Sequence, residues 1–152
     1  MMSIFNAEQW SYNHFINGSF GDSRRTDRVI EVAADMARCS GKSIALSCRG
    51  NEAKVEGAYR LIRNNNISPE AIRASGFQHT VDLAQPYPEI LALDDTTALS
   101  YKHQVAEELG KRGTTTDKSR GWWVHSTLLL DSFTTQTIGL IHQEYWLRPN
   151  NP

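Results

Sequence analysis

Apolar residues recur at helical spacing through the first half of the chain, then run together or alternate through the second. Asn6, followed three residues later by Gln9, fits a capping box that opens a short helix through Trp10 and Phe15. Asp22 is placed to cap a second helix over about 23–39, in which Val29, Val32, Ala33, Met36 and Ala37 recur at helical spacing. Gly41 stands where a left-handed C-terminal cap belongs. Asn51 is placed to cap a third helix to about Arg63, with Val55, Ala58, Tyr59 and Ile62 as its stripe, and Asn64-Asn65-Asn66 ends it. Ser68-Pro69 opens a fourth, because proline is tolerated at the first helical position, and Pro86 and Pro88 close it.

Beyond Pro88 the pattern becomes extended. Ile90–Leu93 is a short continuous apolar run, as in a strand covered on both faces. Residues 122–130 and 137–147 predict two longer strands, joined by a hairpin connection over Asp131–Gln136. In the last of them Ile138, Leu140, His142, Glu144 and Trp146 alternate with Gly139, Ile141, Gln143, Tyr145 and Leu147. Between the first two strands, Val105–Leu109 with Gly110 reads as a helical turn and Lys111–Arg120 as a polar loop. The predicted fold class is α+β: a helical module over 1–88, then three antiparallel strands within 89–152. A first strand apolar on both sides wants cover on both faces, and the helices lie upstream, so the second module reads as incomplete.

Composition narrows the function classes. The chain has 152 residues, 39% apolar and 22% charged, which excludes a disordered or fibrous polypeptide. No apolar run reaches the roughly 20 residues that span a bilayer, so no membrane partner is expected. The first residues lack a basic stretch followed by an apolar block, so a secretory signal is not expected and a cytoplasmic location is. Two cysteines, Cys39 and Cys48, are too few for a disulfide scaffold and read as buried thiols. Sixteen basic against 17 acidic residues excludes a generic polybasic nucleic-acid binder. The charge is nonetheless uneven: residues 20–75 hold ten Lys/Arg against seven Asp/Glu, and residues 81–152 hold six against nine. An anionic partner would meet the first half.

Arg24, Arg25 and Arg28 cluster on one face of the second helix. Such a face could grip phosphates. Glu31 and Asp35 project near the same side, so a salt-bridged solvated face fits the same residues. Arg60 and Arg63 raise the same pair of readings, with Glu56 one turn before Arg60. Arg38, Ser40, Gly41, Lys42 and Ser43 form a polar, basic turn. It is not a phosphate loop, because Met36 stands where the first glycine of that motif must be. Asp94-Asp95 ends the first predicted strand. Alternation puts Asp95 on the side of Leu91 and Leu93. A strand-end carboxylate suits a divalent metal with hard oxygen ligands, or it caps a turn through Thr96 and Thr97. The five histidines show no zinc spacing, and His125 and His142 read as packed, hydrogen-bonded strand residues.

Longer strings carry a resemblance. GDSRRTDRVIEVAADMARCSGKSIALSC, VEGAYRLIRNNNISPEAI, LDDTTALSYKHQVAEELGKRG, DKSRGWWVHSTLLLD and IGLIHQEYWLRP resemble the amino-terminal third of the Tn-five-like (IS-four family) bacterial cut-and-paste transposases, from about Trp10 to Pro152. The resemblance implies a helical domain that binds transposon ends. It also implies the first three antiparallel strands of a ribonuclease-H-like core, whose acidic DDE triad holds two magnesium or manganese ions. Asp95 matches the first acidic residue of that triad, as catalytic residue and metal ligand. The other two lie downstream of Pro152 in the family. By matching position, Arg24, Arg25, Arg28, Arg38, Lys42 and Arg60 are the candidate DNA contacts. Two family contact positions, a Tyr and a Thr, are Cys39 and Ala45 here. Glu52 matches an acidic family position near DNA, where its charge would weaken phosphate contacts.

The function expected from the resemblance is sequence-specific binding of double-stranded transposon-end DNA, without catalysis and without a bound metal cofactor in this chain alone. Two alternatives are a regulator that occupies ends or mixes with full-length transposase, and a non-functional remnant. The expected setting is the bacterial cytoplasm, at the nucleoid.

Overall fold

The computed structural model describes residues 5–101, 106, 108–110 and 120–147. Five helices precede a three-stranded sheet: α1 (Ala7–Phe15), α2 (Ser23–Arg38), α3 (Ile44–Ser47), α4 (Glu52–Ile62), α5 (Pro69–Ala84), then β1 (Ile90–Tyr101), β2 (Arg120–Asp131) and β3 (Thr137–Trp146). The class is α+β. The chain divides into two compact units, Met1–His79 and Thr80–Pro152. The division falls inside α5, earlier than the change from helical to extended pattern at 88/89.

Each main helix starts where a short polar side chain can accept from an orphan amide. Asn6 accepts from Gln9 N at 2.9 Å, Asp22 from Arg25 N at 3.0 Å, Asn51 from Lys54 N at 3.1 Å and Ser68 from Ala71 N at 3.0 Å. Gly41 follows α2 with φ +78°, in the left-handed region open to glycine. One helix was not expected. Ser43 caps the four-residue α3 by accepting from Leu46 N at 3.3 Å. A single turn has too few residues to show a period.

The first unit packs around Phe15, Phe20, Val29 and Ile67, with Trp10, Ile30, Ala33, Leu61, Ala71 and Ile72 against them. At roughly 2 kcal/mol per buried large apolar side chain, this cluster is the main force holding α1, α2 and α5 together. Phe20, 1% exposed, comes from the link between α1 and α2 rather than from a helix.

In the second unit the strands run antiparallel in the order β1-β2-β3. Asp95 pairs with Ser126, Asp94 with Thr127 and Thr96 with His125. Gly121 sits opposite Ser100, and a Cβ there would lie 1.7 Å from the Leu99 carbonyl oxygen, so the close approach of β1 and β2 requires glycine. The connection from β2 to β3 is the expected hairpin: Asp131 accepts from Phe133 N at 3.2 Å and Thr134 N at 3.3 Å, and also from the Thr134 hydroxyl. Two register shifts, between Thr127 and Leu128 and between Leu129 and Leu130, interrupt the pairing with β3. Strict alternation therefore does not run through the last strand, because a bulge places two residues against one. Of the expected helical turn at 105–109, Ala106, Glu108 and Leu109 are described, with Leu109 N donating to Ala106 O at 3.0 Å. Of the expected polar loop at 111–120, residues 111–119 lie outside the described residues, and Arg120 belongs to β2.

Two expectations for β1 are corrected. The strand does not end at Asp94-Asp95. It continues to Tyr101, and Asp94 and Asp95 lie within it. Both carboxylates are exposed and partnered: Asp94 accepts from the Thr127 hydroxyl and faces His125 Nε2 at 3.6 Å across to β2, while Asp95 accepts from Thr97 Oγ1 of its own strand at 2.8 Å. Nor is β1 covered on both faces. Leu91 and Leu93 are 42% and 49% exposed, and only Ile90 and Ala98 of the strand are even half-buried.

Candidate nucleic-acid interface

The basic residues of the first unit separate into two groups by their carboxylate partners. Arg24, at the start of α2, is 92% exposed, and its Nε is 4.0 Å from Asp22. Arg25 folds back, donating to the Phe20 carbonyl at 3.3 Å with Asp22 at 3.5 Å. Arg28 pairs with Glu31 at 2.7 Å. From α4, Arg60 pairs with Glu56 at 2.8 Å and is 78% exposed. These four arginines line one groove of about 570 Å³ between α2 and α4, together with Asp22, Glu56 and Gly57. An exposed pair such as Arg60–Glu56 contributes about 0.5 kcal/mol at most, so a stronger anion can displace the carboxylate at little cost.

Arg38 and Lys54 belong to the second group. Arg38 pairs with Glu8 of α1 and with Asp35. Lys54 of α4 reaches both oxygens of Asp35, at 3.1 and 3.0 Å, and Glu31 at 3.5 Å. The Asp35 side chain is 5% exposed. Its hydrogen bond holds the Lys54 ammonium above the ordinary lysine value, against the opposing effect of burial. A buried carboxylate stripped of a partner costs several kcal/mol, so these cations hold helices together and are not at liberty. Arg38 lines a separate cleft of about 530 Å³, with Glu8, Asp27, Glu31 and Lys54.

Lys42 lies in the turn before α3, exposed, and is not among the groove's lining residues. Cys39 caps the end of α2 and is half-exposed, Ala45 is exposed on α3, and Glu52 is exposed in the first turn of α4. Cys48 is buried, and burial pushes its thiol up, as expected of an inert thiol.

Residues 7–67 match the family described as Transposase DNA-binding. This segment is a transposase DNA-binding domain. Every residue lining the α2–α4 groove falls within the match. The match implies DNA binding in transposition for this part of the chain. Among the described residues, no helix is long and apolar enough to cross a membrane.

Reading the sequence brought out the arginines of the transposase DNA-binding domain but not what organises them. Asp35 and Lys54 are 19 residues apart and meet only in the fold. Gly57, a glycine inside a helical pattern, was a signal that could have been followed. In the second unit Asp95 sits in a polar row that crosses the sheet, with Thr97 beside it and Ser126 paired to it, and Gln143 donating to Ser126 at 3.1 Å. Asp94 and His125 are tied to the row on the opposite face, where Thr96 Oγ1 lies 2.9 Å from His125 Nδ1. His142 is exposed, its ring 6.3 Å from that of His125. Among the described residues, no three His, Cys, Asp or Glu side chains come together as a metal site.

Proposed function

We propose that this chain binds the end duplex of a transposable element sequence-specifically, and that the α2–α4 groove is the face it uses. The observation that carries the reading is the convergence of Arg24, Arg25, Arg28 and Arg60, from two helices, on one open groove inside the transposase DNA-binding segment. Their guanidiniums are strong phosphate ligands, and each phosphate neutralised releases counterions. Lys42 would act as an outlying contact beyond the groove. Arg38, committed to Glu8 and Asp35, would serve the helical scaffold instead.

The second unit is proposed to be the opening sheet of a ribonuclease-H-like catalytic domain. The strand order, the antiparallel directions and the DDTT string in β1 support this. Asp95 suits magnesium or manganese as a hard, exposed carboxylate ligand, and in a full set of ligands the metal would supply Lewis acidity for phosphoryl transfer. One such carboxylate is too few for a two-metal centre. The 152-residue polypeptide by itself is therefore proposed to bind ends and not to cut them.

Titration of the chain against an end-sequence duplex and a scrambled duplex, across salt concentrations, tests the binding. Specific affinity should exceed non-specific affinity by about a thousandfold or more. Arg60→Ala should weaken both and reduce the salt slope by about one. Equal affinity for the two duplexes, or arginine variants with unchanged slope, would overturn the groove reading. Metal-dependent cleavage of the end duplex, abolished in Asp95→Ala, would overturn the second claim.

A further inference from the structure

Gly57 stands inside α4, where glycine weakens a helix relative to alanine. A Cβ at this position would lie 2.5 Å from Arg28 Nη1, 2.9 Å from Arg28 Cζ and 3.4 Å from Arg28 Nε. These three atoms, all of one guanidinium, are the nearest to it. The Arg28 side chain therefore lies across α4 at the one point of that helix without a side chain. Arg28 and Gly57 both line the groove, with Arg60 further along α4. Nothing about Gly57 is needed for the backbone itself: it has no positive φ and no backbone neighbour pressed against it.

We propose that Gly57 is a positioning residue for DNA binding. Its bare surface lets the Arg28 guanidinium lie down onto α4 at the depth that a phosphate in the groove requires. This rests on the reading of the groove as the DNA face. Because the obstructing group would be the far end of a flexible side chain, a methyl at 57 would lift the guanidinium outward without breaking the fold. Stability and DNA affinity then move in opposite directions, which separates this role from a structural one.

The experiment compares Gly57→Ala, Arg28→Ala, the double variant and Gly76→Ala in the full chain, measuring Tm and affinity for an end-sequence duplex across salt. Gly76 is also helical, in α5, and a Cβ there meets nothing within 4 Å. Gly57→Ala and Gly76→Ala should each raise the Tm by roughly 2–5 °C. Gly57→Ala alone of these two should lower affinity, by roughly tenfold, with a shallower salt slope. In the Arg28→Ala background the Gly57 substitution should cause no further loss. If Arg28→Ala weakens binding and Gly57→Ala does not, the positioning role is wrong while the groove stands. If Arg28→Ala has no effect, the groove reading fails and this proposal fails with it. A fall in Tm for Gly57→Ala would make the contact structural and also overturn the proposal.

Discussion

Asp35 of α2 receives the Lys54 ammonium of α4 on both of its carboxylate oxygens, at 3.1 and 3.0 Å. Arg38 completes the pairing and extends it to Glu8 of α1. The carboxylate is buried, so its neighbours cannot be removed cheaply. Asp35→Ala should destabilise the protein by about 3 kcal/mol, read by urea unfolding. Lys54→Met should lose less, about 1–2 kcal/mol, because that side chain is a third exposed and Arg38 remains. The Lys54 value is raised in the folded state, so its contribution is complete below the ordinary lysine value and is lost as pH rises through the raised one. Equal stability of wild type and Asp35→Ala would contradict this account.

His14 and His79 place their rings 4.4 Å apart, on α1 and α5. His14 Nδ1 lies 2.8 Å from the Trp10 carbonyl, which can only accept, so Nδ1 carries a proton. Trp10, Phe15 and His79 surround the ring, and Ser75 donates to the His14 carbonyl at 2.7 Å. Burial pushes the imidazole below its ordinary value and the facing His79 adds to this, while the Trp10 hydrogen bond opposes it. A depressed folded value means that the unfolded chain takes up the proton first as pH falls. Stability should therefore be complete above the ordinary imidazole value and decline on acidification through the depressed one. Denaturation curves between about pH 7.5 and about pH 5 should show the decline, and His14→Phe should flatten it.

The β2–β3 hairpin depends on Asp131. The hydrogen bond from the Thr134 hydroxyl holds its carboxyl below the ordinary carboxylate value, helped by the Phe133 and Thr134 amides and opposed by desolvation. Its contribution is present above the ordinary value and disappears as pH falls through the lowered one. Asp131→Ala should loosen the turn, seen as faster amide exchange at Phe133, Thr134 and the first residues of β3. Unchanged exchange there would show that the strands alone fix the register.

Glu56 faces the groove and occupies Arg60. Glu56→Gln removes an anion beside the expected phosphates and frees the guanidinium. Affinity for duplex DNA should rise by roughly three- to tenfold, with little change in Tm. A decrease would mean that the pair aims Arg60 rather than masks it.

Much of the helical unit was legible because its signals are local. Asn6, Asp22, Asn51 and Ser68 each announce a helix within four residues of its start. The single-turn α3 carried no period. The true length of β1 was hidden for a different reason: Asp94-Asp95 looks like a terminator, and it is the pairing with β2, which leaves both carboxylates exposed and gives Asp94 the partners Thr127 and His125, that carries the strand through it. The candidate interface divides in the same way. Each arginine was visible as a charge, and three of them as one helix face. That Arg60 shares their groove, that Asp35 takes Lys54, that Arg38 reaches Glu8 and that Gly57 underlies Arg28 are long-range relations that no spacing rule contains.

Among the described residues, β1 has a neighbour on one side only, so every second residue of its twelve turns a backbone donor and acceptor outward, away from β2. Such a margin, flanked by bare leucines, invites another chain to zip onto it. Two adjacent negative charges near its midpoint work against this, since a second copy laid antiparallel would bring like charges face to face. Neutralising both would tip a concentrated solution of this protein toward fibrous self-association.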